Sequence, residues 1–359
     1  MVNPTAPGDA PSSRQTKGDT NPMARIVLGI GTSHGVMVSI PSEYWKDRVT
    51  ADRAEKHHPF RSGTYTFDEL AALRASENLP DQIHPEVLCE RHARCQRAIA
   101  MLADAYAHNQ ADMAVIVGND QLEVFTRETI PAFSVFRGPY VEGIPRTPEF
   151  LAKLNPAIAR AELDRTPIVY TQYPCLPEVG WHVTEALTAS GFDVTQMTRL
   201  QTGEIGSNAA PHAYGFVYRR IMRDQVTPHV PVFVNTFYPP NQPPAARCFA
   251  FGRALARAVA SWPEDKTVAI VASGGMSHFV VDEDLDRKVL AAMGSGDADA
   301  LGSVPESTWQ SGTSEIKNWI AVAGAMAEAG LKMNLVDYVA AYRSEAGTGS
   351  GLAFATWQR

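Results

Sequence analysis

No apolar run in the chain approaches the roughly 20 residues needed to span a bilayer, and the longest buried-looking stretches, such as Val268 to Ala272, are short and follow charges at Asp265 and Lys266. A membrane span is therefore not expected. Cysteine is scarce: Cys89, Cys95, Cys175 and Cys248 have no C-x-x-C spacing, so neither a zinc ribbon nor a disulfide framework is expected, and buried thiols in a reducing cytoplasm are. Positive charge is also short. With 32 Lys and Arg against 39 Asp and Glu, the formal charge is -7, which argues against a surface built to neutralise phosphates, and hence against nucleic acid as a partner. Walker-A and dinucleotide-binding glycine patterns are absent, which removes the obvious nucleotide readings.

What is present is a globular composition, 45% hydrophobic over 359 residues. Residues 1–22 are rich in Pro, Ser, Thr and Gly without an apolar centre and read as a disordered leader, with Met23 as a natural start. Residues 23–359 read as one domain. Short β-branched runs, Ala24 to Ile30, Met113 to Val117, Val230 to Asn235 and Val268 to Ala272, each end in Gly, Ser, Thr or Asn and alternate with helical patterns. That pattern predicts an α/β fold with a central, mostly parallel sheet flanked by helices on both faces. Helical periodicity is expected over Phe67 to Ala75, Pro85 to His108, Glu178 to Ser190 and Ala245 to Ser261. The stretch 42–110 reads as a helical insertion after the first strand, over the sheet edge and placed to act as a lid.

In open α/β sheets the ligand crevice lies beyond the strand C-termini, which selects His34, Asp120, Gln121, Asn235 and His278. His34 in G-T-S-H and His278 in S-G-G-M-S-H have small neighbours that leave a ligand room. His212 opens a short apolar helical pattern, and Glu315 stands in the first turn of another, where a dipole-complementing role is the plain alternative. The string Gly31-Thr32-Ser33-His34-Gly35 matches a nucleophile elbow literally. The β-branched run to Ile40 and Pro41 that follows is no helix start, so a serine nucleophile is set aside.

In this order the segments Gly31 to His34, Val117 to Phe125, Val234 to Pro240 with Arg247 to Gly252, Gly274 to His278 and Ser311 to Trp319 resemble the class III extradiol dioxygenases, in particular the catalytic β subunits of protocatechuate 4,5-dioxygenase. The resemblance implies Fe(II) held by two histidines and a glutamate, acting on a small aromatic substrate and O2. Carried over by motif, His34 and Glu315 match metal ligands, His278 matches the acid-base histidine and His212 a second catalytic histidine of the pocket; Asn235 and Ser277 are expected to touch substrate. Where the family pattern has N-D-H, this chain has Asn119-Asp120-Gln121. The third ligand is thus open between Gln121, through its amide oxygen, and Glu123, His57 or His58. The resemblance also implies a homo-oligomer, and leaves open a separate small α subunit. Two further readings stay beside it: a non-enzymatic binding protein on the same fold, and a metal-dependent hydrolase with a metal-activated water.

Overall fold

A computed structural model describes residues 23–205 and 209–359; the expected leader, 1–22, lies outside the described residues. The strands β1 (Arg25–Thr32), β2 (Met113–Gly118), β3 (Phe133–Phe136), β4 (Thr195–Met197), β5 (His229–Val234), β6 (Thr267–Ser273), β7 (His278–Val280), β8 (Lys332–Tyr342) and β9 (Thr348–Gln358) form one nine-stranded sheet. Its centre is the parallel set β1, β6, β2 and β5. On one side β5 pairs antiparallel with β3, which carries β4. On the other, β9 runs antiparallel to β1, β7 and β8.

Six helices contribute to the cores around the sheet: α1 (Pro85–Asn109), α2 (Pro156–Arg165), α3 (Pro177–Ala189), α4 (His212–Phe216), α5 (Ala245–Ala260) and α6 (Ile316–Ala329). Because successive strand side chains point to opposite faces, the central strands feed two cores. Val115, Val117, Val268 and Ile270 pack with Leu187 of α3, Phe251 of α5 and Trp319 of α6. Leu28, Ile30, Ile116 and Val271 pack with Leu102 of α1, Ala161 of α2 and Phe216 of α4. Burial on both faces is why these strands read as continuous apolar runs. The α/β architecture expected from the sequence is the one found.

Local chemistry explains the elements that aim the site. Gly31 in β1 faces α6 so closely that a Cβ there would stand 2.3 Å from the Trp319 ring; only glycine lets α6 approach and carry Glu315 to the strand ends. The stretch 42–110 holds a short helix, Val49–Ala54, a hairpin of His58–Phe60 with Gly63–Tyr65, a helix over Phe67–Leu73 started by a Thr66 capping box, and α1. Rather than crossing a sheet edge, α1 lies on a sheet face, against β1, β8 and β9.

Candidate metal centre

His34 leaves the end of β1 and is 2% exposed. Its Nδ1 lies 2.8 Å from Ser273 Oγ, and that hydroxyl donates its own proton to Ala213 O at 2.7 Å. Ser273 can therefore only accept, so the Nδ1 of His34 carries the hydrogen and Nε2 presents a lone pair. Buried Nε2 has no hydrogen-bond partner. Burial pushes this imidazole down to about 4, and Glu315 opposes the shift without cancelling it.

Glu315 closes the turn before α6. Its Oε2 accepts from Gly275 N at 3.0 Å and lies 3.4 Å from His34 Nε2 and 3.7 Å from His278 Nε2. Oε1 faces the side-chain amides of Asn119 at 3.3 Å and Gln121 at 3.5 Å. Burial works against its ionisation, but His34 and His278 hold it well below the usual carboxylate range. The result is a lone pair on neutral His34 facing a carboxylate with no hydrogen between them, an arrangement that a cation resolves.

The first residue of α4, His212, stands with its ring perpendicular to that of His34, centroids 4.7 Å apart. Its backbone N donates to Glu123 Oε1 at 2.8 Å, and Nδ1 donates to Oε2 at 2.6 Å. Burial alone lowers its proton affinity; the Glu123 carboxylate outweighs that and raises it. With Nδ1 so held, Nε2 is the free donor, as in carboxylate–histidine–metal arrangements. His34, His212 and Glu315 bring ligand atoms within 4.8 Å of one another, a cluster able to hold a metal ion.

His278, at the start of β7, fixes its Nδ1 hydrogen on Met276 O at 2.7 Å. Burial lowers its proton affinity but Glu315 raises it further. Gly312 lets the ring lie flat against the turn before α6: a Cβ there would meet His278 Cδ2 at 1.9 Å.

The other expected residues fall differently. Gln121 borders the cavity, yet it turns its amide nitrogen toward Glu315, while its oxygen accepts from the Tyr238 hydroxyl at 3.3 Å. Glu123 is engaged with His212 rather than offered to a metal. His58 is buried under Asp52 O at 2.8 Å, and His57 is exposed beside Glu55; neither borders the cavity. Asn235 and Ser277 do not border it either, because their short side chains close their own loops. Asn235 bridges the N–H and C=O of Tyr238, and Ser277 donates to Asp286 from both N and Oγ. Asp120 caps the turn after β2, accepting from the N–H groups of Glu123, Val124 and Phe125, and burial followed by Glu123 pushes it up to about 7.

These groups open on a cavity of about 420 Å³, in the usual range for small-molecule sites. Its apolar walls include Met37, Phe150, Leu154, Ile158, Phe237 and Phe279. Of the stretch 42–110 expected to act as a lid, only Arg48 reaches it; residues 146–165 supply the wall instead. Sequence reasoning missed three contributors: Ser273, Glu123 as the group that orients His212, and the guanidinium of Arg165. Ser273 had a signal, since it ends β6 on the same rim as His34. Nothing in the neighbours of Arg165 marks it.

Fold and cluster together define an α/β protein with a buried two-histidine, one-carboxylate centre at its strand ends. Residues 100–353 match the family described as the catalytic LigB subunit of aromatic ring-opening dioxygenase, and the chain belongs to that family. The matched span includes Gln121, His212, His278 and Glu315 but not His34. A gallate dioxygenase of Pseudomonas putida is 58% identical over 41 residues, 11% of this chain. The chain thus matches 12% of the length of that curated relative. Among solved structures, an uncharacterized protein of Escherichia coli K12 is similar at 15% identity, covering 72% of this chain and 91% of its own, with a TM-score of 0.40. Among the described residues, no helix is long and apolar enough to cross a membrane.

Proposed function

We propose that the chain is a cytoplasmic extradiol dioxygenase that opens the ring of a catechol-type aromatic, with Fe(II) held by His34 Nε2, His212 Nε2 and Glu315. The observation that carries this reading is the orphaned Nε2 of His34, 3.4 Å from Glu315 Oε2 with His212 beside it. Two imidazoles and a carboxylate are the donor set of non-haem Fe(II) oxygenases. Fe(II) bound there supplies open positions for the diol oxygens and dioxygen and lowers the pKa of a bound hydroxyl. The reaction breaks one ring carbon–carbon bond next to the diol and leaves both oxygen atoms in the product.

The residues of this chain position groups and move protons. His278 exchanges protons only through Nε2, because Nδ1–H is fixed on Met276 O; it takes a proton from the diol and returns one as the ring opens. Asn119 and Gln121 hold Oε1 of Glu315, while Oε2 faces His34 and His278. His212 thereby replaces Gln121 as the third ligand, and Gln121 becomes a positioning residue. Phe237 and Phe279 give the cavity apolar walls against which a ring can lie. The family's description as a catalytic subunit supports a separate partner subunit.

Anaerobic Fe(II) loading followed by metal analysis and oxygen uptake with a panel of catechols, gallates and aminophenols tests this. Uptake matched to ring-opened product is expected, with metal lost in His212→Ala and kept in Gln121→Ala. Bound iron with no uptake across the panel would sink the dioxygenase reading, and turnover without oxygen would favour a hydrolase.

A further inference from the structure

We propose that Asn318 is a positioning residue of the metal centre, which acts through Asn119 to hold the carboxylate of Glu315 in place for ligation. The inference rests on the centre read above and adds to it a residue that is not itself a ligand.

Asn318 lies in the first turn of α6, three residues after Glu315, and is fully buried. Around it α6 is apolar, with Ile316, Trp319, Ile320 and Val322 all buried, so packing alone would favour an apolar side chain there. Its amide nitrogen gives away both hydrogens, one to Asn119 Oδ1 at 3.0 Å and the other to the C=O of Ser273 at 2.9 Å. Asn119, fully buried just past the end of β2, in turn donates from Nδ2 to Glu315 Oε1 at 3.3 Å. One side chain thus ties α6 to the ends of β2 and β6. Gly274 leaves it the room, since a Cβ there would stand 3.2 Å from Asn318 Nδ2 and 2.9 Å from Glu315 O.

The direction of these bonds is forced. A carboxylate oxygen can only accept, so Asn119 turns its NH2 to Glu315 and its oxygen to Asn318. Asn318 must answer with N–H, and the C=O of Ser273 requires the same. Turning the Asn318 amide over would set its oxygen against two other acceptors. Its Oδ1 is therefore left buried without a hydrogen-bond partner among the described residues. An unmet buried acceptor destabilises a fold; what the amide secures is the arrangement of the centre. With Oε1 held by Asn119, Oε2 of Glu315 stays directed at His34 Nε2, 3.4 Å away. Ser273, whose backbone Asn318 anchors, orients His34 with its hydroxyl and bonds Ala213 O beside His212.

The test is anaerobic Fe(II) titration of the full, metal-free chain against a competing chelator, run beside urea unfolding so that affinity is read on folded protein. Asn318→Leu, close in shape but unable to donate, is expected to weaken Fe(II) binding about 10-fold, the lower end of what partners outside the ligand set contribute. Asn318→Ser leaves room for a bridging water and should recover part of that loss; if the leucine variant does not fold, a several-fold loss in the serine variant is the expected result. Asn119→Ala should weaken binding about 10–100-fold. Adding Asn318→Leu to it should change affinity by no more than a few-fold, because the two amides act in series. Fe(II) held by the Asn318 variants as tightly as by the wild type overturns the proposal and leaves the centre standing, with the amide serving the fold alone. Losses that multiply in the double variant also overturn it, since Asn318 would then act by a route other than Asn119. Wild-type protein that takes up no Fe(II) overturns the centre and the positioning role together. The expected losses, in a wild type that consumes no oxygen with any diol, would keep the positioning role and remove the dioxygenase reading.

Discussion

His34 and His212 stand 4.7 Å apart in one cluster, yet their niches tune them in opposite directions. The niche of His34, between the ends of β1 and β6, offers a hydroxyl whose proton is already given to Ala213 O. That of His212, at the start of α4, offers a carboxylate. Both partners fix the ring hydrogen on Nδ1 and turn Nε2 inward, so orientation is the same. What differs is charge. An uncharged acceptor leaves burial to dominate, and His34 falls to about 4. A full negative charge outweighs the same burial, and His212 rises. His34 is thus ready to bind a cation at neutral pH, while the raised proton affinity of His212 sets protons in competition with the metal, which makes metal uptake rise with pH.

Removing the group that both histidines face breaks the comparison most completely. Glu315→Ala takes away the carboxylate that opposes burial at His34 and adds to the raised proton affinity of His212. Metal affinity is expected to fall by more than about 100-fold, because even partners outside the ligand set are worth 10–100-fold. Elemental analysis after equilibrium dialysis measures this, and a variant that keeps stoichiometric metal would mean that the cluster is not the binding site.

A pH titration of stability comes next in size. The folded protein holds His34 near 4 against an ordinary value of 6.5, so it resists a proton that the unfolded chain accepts. The stability from His34 is complete above pH 6.5 and is lost as pH falls toward 4, by about 3 kcal/mol at 1.36 kcal/mol per unit. His212 has the opposite sign: its contribution is complete below pH 6.5 and fades as pH rises through its raised folded value. Urea midpoints of the metal-free protein across pH 4–8 should show the acid slope, and His34→Gln should flatten it. A slope unchanged in that variant would assign it to the carboxylates.

The two niches also mark how far a sequence can be read. Their strands were legible because burial on both faces makes β1, β2, β5 and β6 continuous apolar runs, and the crevice rule then singled out His34 and His278. The same rule overreached at Asn235, and the resemblance at Ser277, since a short polar side chain after a strand can bond its own loop instead of a ligand. Gln121 shows the limit of matching by backbone position. The chain places it on the rim, but Tyr238, more than a hundred residues later, takes the amide oxygen. Glu123 and Arg165 were illegible for a related reason: one matters through its bonds to His212 and the other through its field at the same cluster, and both are facts of tertiary structure.

The partners themselves give the smaller effects. Glu123→Gln keeps an acceptor for His212 Nδ1 but removes the charge, and is expected to weaken metal binding about 10–100-fold while moving its pH dependence to lower pH. Ser273→Ala removes an uncharged acceptor. It strands the buried Nδ1–H of His34 and the C=O of Ala213, a cost of about 1–3 kcal/mol, part of which falls on folding and part on ligation. About tenfold in metal affinity is expected, with no change in the pH dependence, because no charge is lost. Metal titrations of both variants at several pH values separate the cases. If Ser273→Ala shifted the pH profile as Glu123→Gln does, the hydroxyl would be setting proton affinity as well as orientation, and partner charge would no longer account for the difference between the two histidines.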